Sequence, residues 1–374
     1  MRTAFTDMVG VPHPIVGFNR SPGVVAAVTN AGGFGVLGAS AYTPAELDAQ
    51  LTWIDEQTEG RPYGVDLLVP EKFAAGDPAN LVASLRAQIP DGHLAFVSDL
   101  LDRYGIPEVP GNPEHDEIAA SLNPNGAEVL LDVAFRHPIR LIANALGPPP
   151  AGLVDRARKQ GVPVAALVGQ PRHAIRQIEA GVDLLIAQGT EAGGHTGTIA
   201  TMVLTPEIVD IAAGRPVLAA GGIASGRQMA AALALGAAGV WCGSVWLSSE
   251  EDVANQAIKA KFLRATSSDT LRSPTRTGKP ARQLRSAWHE EWERPGSPAP
   301  LPLPLQPMLV NEAWQRIDAA ARAGHEGAVR LESFFVGQVV GSFEQIRPAG
   351  EITRQIVADC EQRIRDLAKL EAGS

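Results

Sequence analysis

The sequence predicts an α/β chain folded as a (β/α)8 (TIM) barrel, with an insertion after strand three and a C-terminal accessory helical region. Three observations carry this. Short apolar, β-branched runs alternate with amphipathic stretches of helical period, the mark of βα repeats and a parallel sheet. Eight such runs occur, mostly about 20–30 residues apart, a number that suits closure into a barrel rather than an open sheet. A glycine pair follows the seventh run and a Gly-Ser pair lies in the eighth, where barrels often hold a phosphate group.

The expected strands are Pro14–Phe18, Gly35–Gly38, Tyr63–Val69, Arg140–Leu146, Val162–Val168, Leu184–Gln188, Pro216–Ala220 and Val240–Leu247. Helical patterns separate them, among them Pro22–Ala31, Pro44–Gln57, Pro171–Ala180 and Ser225–Leu235. Two regions break the rhythm. Pro90–Asn125 is rich in Pro, Gly and charge without strong periodicity and is expected as an insertion over one end of the barrel. Ser267–Leu309 includes the proline-dense Arg294–Pro307, expected to be extended and exposed. Beyond it, Val310–Ala323 and Ile352–Leu370 have the pattern of amphipathic helices. The division is therefore a barrel over residues 1–266 and an accessory, mostly helical region over 267–374 on the substrate side.

Composition narrows the function. The 374 residues are 45% hydrophobic, enough for a large core, and the net charge of −9 disfavours a nucleic-acid partner. No apolar run approaches the ~18 residues of a membrane helix. The N-terminus lacks the cationic and apolar regions of a signal peptide. Cys242 and Cys360 form neither a disulfide framework nor a metal-ligand spacing, so no metal is expected and a cytoplasmic location fits.

The chemistry concentrates at the strand ends. Gly221 and Gly222 follow strand seven, and Gly243-Ser244 lies in the predicted strand eight. Glycines let backbone N–H groups approach an anion, and the following helix adds partial positive charge. The same glycines would also serve tight βα turns, but both pairs at the two expected strands favour a phosphate site. After strand six comes Gln188-Gly189-Thr190-Glu191-Ala192-Gly193-Gly194-His195-Thr196-Gly197. A histidine among glycines at a strand end is exposed, mobile enough to be positioned and able to titrate near neutrality. His195 is the expected catalytic acid–base group, while the other histidines read as surface or packed residues. Glu191 would either orient His195 or cap the loop.

These segments resemble the nitronate monooxygenase (2-nitropropane dioxygenase-like) family of FMN-dependent barrels. Its pattern Gln-Gly-x-Glu-Ala-Gly-Gly-His-x-Gly is matched throughout by Gln188–Gly197, and Ala-Ala-Gly-Gly-Ile-Ala-x-Gly by Ala219–Gly226. Ala26–Gly35, Gly243-Ser244, Thr277–Arg282 and Gly337-Gln338 are further matches. The resemblance implies an oxidoreductase that carries FMN, with His195 catalytic. It implies cofactor contacts from Phe18, Asn19, Asp66, Gln188, Gly189, Gly194, Gly221, Gly222, Gly243 and Ser244. Two departures stand out. The stretch Gly17–Ser21 lacks the methionine usual after strand one, and Gly64-Val65-Asp66 has a carboxylate where the family often has an amide.

The leading expectation is oxidation of alkyl nitronates by dioxygen, His195 removing the proton from the carbon next to the nitro group or holding the anionic nitronate. The alternative is an FMN-dependent enoyl-thioester reductase or desaturase acting on a CoA or carrier-protein substrate, or a quinone reductase, with NAD(P)H as donor for the reductases. A non-catalytic flavin binder is disfavoured by the intact Gly-Gly-His motif. A barrel dehydrogenase with a nucleophilic cysteine is disfavoured because Cys242 falls inside a strand.

Overall fold

Eight parallel strands close on themselves in chain order, each next to its predecessor, in the computed structural model of the chain. The structure describes residues 1–69, 78–108, 126–145 and 147–372. The barrel strands are β1 (Ile15–Asn19), β2 (Phe34–Gly38), β3 (Gly64–Leu67), β4 (Ile142–Asn144), β5 (Val164–Val168), β6 (Leu184–Gln188), β8 (Val217–Ala220) and β9 (Gly239–Cys242). The pairing of β1 with β9, Val16 opposite Trp241, completes the ring. Between β6 and β8 the two-residue β7 (Gly194–His195) leaves the barrel and joins an antiparallel sheet with β10 (Thr270–Ser273) and β11 (Ala281–Leu284).

Alternation along each strand sorts the core into two layers. Val16, Val36, Ala143, Ala165, Ile186, Leu218 and Trp241 fill the barrel. Leu37, Val65, Ile142, Val164, Leu185 and Val217 face the surrounding helices. The first helix (Ala4–Val9) plugs the bottom: Phe5 meets Phe34 edge-on at 5.9 Å between ring centroids. The bottom is therefore filled by side chains, and chemistry is confined to the C-terminal ends of the strands.

The strand predicted over Val240–Leu247 ends at Cys242, and Ser244–Ser248 is a buried 3-10 turn. Its apolar run is burial without strand geometry, which periodicity alone does not separate. Trp246 Nε1 donates to the Cys242 carbonyl at 2.6 Å and holds the chain back on itself. Part of the expected insertion, Asp91–Arg103, is a helix, and residues 109–125 lie outside those described. Leu100 and Leu101 of that helix pack with Trp288, Trp292 and Trp314, so this segment and the C-terminal region share one apolar cluster.

The region after Ser267 also contains the β10–β11 hairpin and the helix Ala287–Glu293, both upstream of the proline-dense stretch. The long helices run Leu305–Arg322 and Ala349–Ala372. The latter packs against Gly226–Ala234, where a Cβ on Gly226 would lie 2.3 Å from the Cys360 amide nitrogen. No helix of the described residues is long and apolar enough to cross a membrane.

Candidate active site

The upper barrel layer brings together inward positions of successive strands. Phe18 stacks on Trp241 with ring centroids 5.7 Å apart, and a Cβ on Gly38 would meet the Phe18 ring at 3.1 Å. Asp66 stands between Gly38 and Ala143 in register, neighbours with no side-chain donor, and its Oδ1 has no hydrogen-bond partner. Burial pushes its pKa up to about 7, against the opposing charge of Arg20. Gln188 ends β6 directly beside Ala220. The Asn19 side chain is committed within the protein. Its amide donates to Asp252 Oδ2 at 2.8 Å, and its Oδ1 accepts from the Ser21 amide at 2.7 Å.

The glycine segments lie just beyond the ends of the adjacent strands β8 and β9. Gly221 and Gly222 both have left-handed φ, +97° and +71°. The amides of Gly222, Ile223 and Ser244 donate to no acceptor among the described residues. A Cβ on Gly243 would touch only Phe18, at 3.8 Å, so this backbone is open to an incoming group. Ser244 Oγ accepts from the Gly337 amide at 2.8 Å, bringing the C-terminal region to the rim. This donor set fits a small anion such as a phosphate monoester.

Gly189 has a packing role. A Cβ there would lie 2.0 Å from Thr201 Oγ1, so glycine lets the loop cross the start of the helix Thr201–Ile211. Gly194 has φ +77° and nothing within 4 Å of an added Cβ, so it faces open space. Of the two roles open to Glu191, the structure selects the cap. Its carboxylate accepts from the Thr201 amide at 3.0 Å and from Thr201 Oγ1 at 2.8 Å.

His195 lies on β7, paired with Ala281 of β11. The residue is exposed as a whole, and its Nε2 sits 2.8 Å from Thr277 Oγ1. Burial, then the charge of Lys279, lowers its pKa below the ordinary histidine value. Thr277 and Lys279 are the functional candidates that sequence reasoning left without a role, although they lie in a matched motif. Arg282 and Arg272 brace the same loop, donating to the carbonyls of Thr190 and Thr196, each at 2.9 Å. Cys242 is packed, and burial pushes its thiol up to about 12, which leaves it without nucleophilic character.

The arrangement thus places a histidine of lowered pKa, influenced by Lys279, on the loop after β6, and backbone amides without acceptors among the described residues beyond the ends of β8 and β9. The nitronate monooxygenase family profile matches residues 2–359. A protein of Mycobacterium tuberculosis, provisionally named a monooxygenase, is 55% identical over 96% of both chains. A 5-hydroxy-7a-methyl-1-oxo-octahydro-1H-indene-4-carboxyl-CoA dehydrogenase of Rhodococcus jostii is 30% identical over 100% of this chain and 99% of its own. Among solved structures, a nitroalkane oxidase from Streptomyces ansochromogenes superposes with a TM-score of 0.78 at 27% identity, covering 98% of this chain and 100% of that one. The chain belongs to the nitronate monooxygenase family and is a flavin-dependent oxidoreductase on a closed (β/α)8 barrel.

Proposed function

We propose that the chain holds FMN at the barrel mouth and oxidises nitroalkanes through their nitronates, with dioxygen as electron acceptor. The carrying observation is His195 on the loop after β6, held 2.8 Å from Thr277 Oγ1, with a pKa lowered by burial and then by the charge of Lys279. Such a pair suits removal of a weakly acidic C–H proton, because a lowered pKa favours the unprotonated base and the cation offsets the charge that develops on the substrate. The amides of Gly222, Ile223 and Ser244 would receive the FMN phosphate, and Phe18, Asp66 and Gln188 would line the ring. Asn19, with its amide committed to Asp252, would support this layer from behind. FMN rather than a dinucleotide is favoured because the glycine-rich Ala31–Gly35 leads into a strand instead of following one. Bound there, FMN would supply the two-electron redox chemistry; the protein supplies orientation and proton transfer.

A second reading rests on the Rhodococcus jostii relative, whose name specifies a CoA thioester. A carbon next to a thioester carbonyl is also a weak C–H acid, and the same pair would serve it.

Anaerobic mixing of the purified flavoprotein with nitronates, saturated acyl-CoA thioesters, NADH or NADPH separates these readings by which compound bleaches the flavin. Bleaching by nitronates is expected. His195→Asn should keep FMN and lose turnover of neutral nitroalkanes by roughly 10²–10⁴-fold, the usual contribution of a general base. Pre-formed nitronates, already deprotonated, should lose less. Bleaching only by acyl-CoA would transfer the role of His195 to thioester chemistry. Near-normal nitroalkane turnover by His195→Asn would end the base assignment.

A further inference from the structure

His195 Nε2 lies 2.8 Å from Thr277 Oγ1, and Thr277 Oγ1 lies 2.9 Å from the Lys279 carbonyl oxygen. A hydroxyl carries one proton, and a carbonyl oxygen can only accept. If the Thr277 proton pointed to the imidazole, two oxygen lone-pair regions would face each other at 2.9 Å with nothing between them. The hydroxyl must therefore donate to the Lys279 carbonyl, and Nε2 must carry hydrogen and donate to Thr277 Oγ1. The turn that holds Thr277 is itself fixed: the amides of Thr277 and Gly278 both donate to the Pro274 carbonyl, the latter at 2.7 Å. A Cβ on Gly278 would lie 2.4 Å from the Leu303 amide nitrogen, so the turn is pressed against the following chain. Pairing of His195 with Ala281 holds the histidine backbone opposite this turn.

We propose that Thr277 is a positioning residue that locks His195 in its Nε2–H tautomer, making Nδ1 the atom that takes the substrate proton. This rests on His195 being the base. The C–H bond breaks, its electron pair stays on the substrate as the conjugated anion, and the proton joins the lone pair of Nδ1. The imidazolium so formed keeps its Nε2–H bond to Thr277, whose oxygen is polarised by its own donation to Lys279. Nδ1 makes no hydrogen bond to any described residue, so the accepting atom is not already occupied. The imidazolium, on an exposed residue, then returns the proton to water.

The test is nitrogen-15 NMR of the flavin-loaded enzyme labelled at histidine, at pH 8, with the His195→Asn spectrum identifying the resonance. Long-range proton–nitrogen correlations distinguish the two tautomers. Wild type and Thr277→Ser should both show Nε2–H. Thr277→Val should lose that bias, with kcat down roughly three- to tenfold, the range one neutral hydrogen bond is worth, and KM little changed. An Nδ1–H tautomer in wild type overturns the proposal. So does a Thr277→Val enzyme with wild-type tautomer and kcat. If Thr277→Val loses its flavin, the wild-type spectrum and the Thr277→Ser enzyme still decide. Full turnover by His195→Asn would instead refute the base assignment, and with it a catalytic role for Nδ1, whatever the tautomer.

Discussion

Asp66 gives the sharpest quantitative prediction. The family often has an amide here, and in this chain a carboxyl group is buried between Gly38 and Ala143, neither of which can donate a side-chain hydrogen bond to it. Desolvation raises its pKa from 3.8 to about 7. A group whose folded pKa is raised binds its proton more tightly in the native state, so stability falls as pH climbs from the unfolded value to the folded one. The contribution is fully present below pH 3.8 and lost by about pH 7. At about 1.36 kcal/mol per unit this is a penalty of about 4 kcal/mol, of which about 3 kcal/mol develops between pH 5 and pH 8. Asp66→Asn has nearly the same shape and no charge, so it should escape the penalty. At about 2.1 cal/mol/K per residue, 3 kcal/mol is about 4 °C in Tm for a chain of this length. The measurement is thermal unfolding of the flavin-free wild type and Asp66→Asn at pH 5 and pH 8. The Tm gained by the variant should be about 4 °C larger at pH 8 than at pH 5. Other titrating groups are common to both proteins and cancel in this difference. An equal Tm difference at the two pH values would refute the argument from desolvation.

Two further outcomes follow from the site. Lys279→Ala removes a cation that lowers the His195 pKa, so the acid limb of kcat/KM should move to higher pH while the plateau near pH 8 persists; an unmoved limb would mean that Lys279 does not face the base. Ser244→Asp places a carboxylate in the proposed phosphate cradle. Like charges about 4 Å apart at an effective dielectric of about 20 repel by about 4 kcal/mol, so FMN affinity should fall on the order of 10²–10³-fold in a fluorescence titration, with circular dichroism unchanged. Retained flavin would put the phosphate elsewhere. Gly222→Val is a poorer probe because φ at Gly222 is +71°, and backbone strain would mix with any loss of binding.

The barrel was legible because its strands announce themselves through burial and spacing. Runs such as Leu184–Ala187 are apolar on both faces, as strands covered inside and outside must be. What the sequence concealed follows from physics that local pattern does not carry. The Ser244–Ser248 turn is as apolar as a strand and was absorbed into one. The β10–β11 hairpin is short and polar, and its partner β7 lies more than seventy residues upstream, so no local window relates them. Thr277 and Lys279 were visible as a motif, but a hydroxyl two residues from a lysine has no evident role until the fold places it 2.8 Å from an imidazole.

The glycines around His195 suggest a loop that moves freely, and the structure gives them another purpose. Gly189 lets the chain cross Thr201, and a Cβ on Gly193 would lie 2.9 Å from the Gly337 amide nitrogen. Gly197 passes so close to Gly169 that a Cβ would sit 2.7 Å from its carbonyl oxygen. Between these contacts Glu191 anchors the loop to Thr201, and Arg282 and Arg272 hold the Thr190 and Thr196 carbonyls. Each of these three glycines lacks a side chain because another part of the chain occupies that space. A loop gripped in this way loses little conformational entropy when substrate arrives, because folding has already removed it. The position of His195 is then set by barrel, hairpin and C-terminal segment together, which is the geometric requirement for the proposed base, whose reacting nitrogen must lie within hydrogen-bond reach of one particular proton.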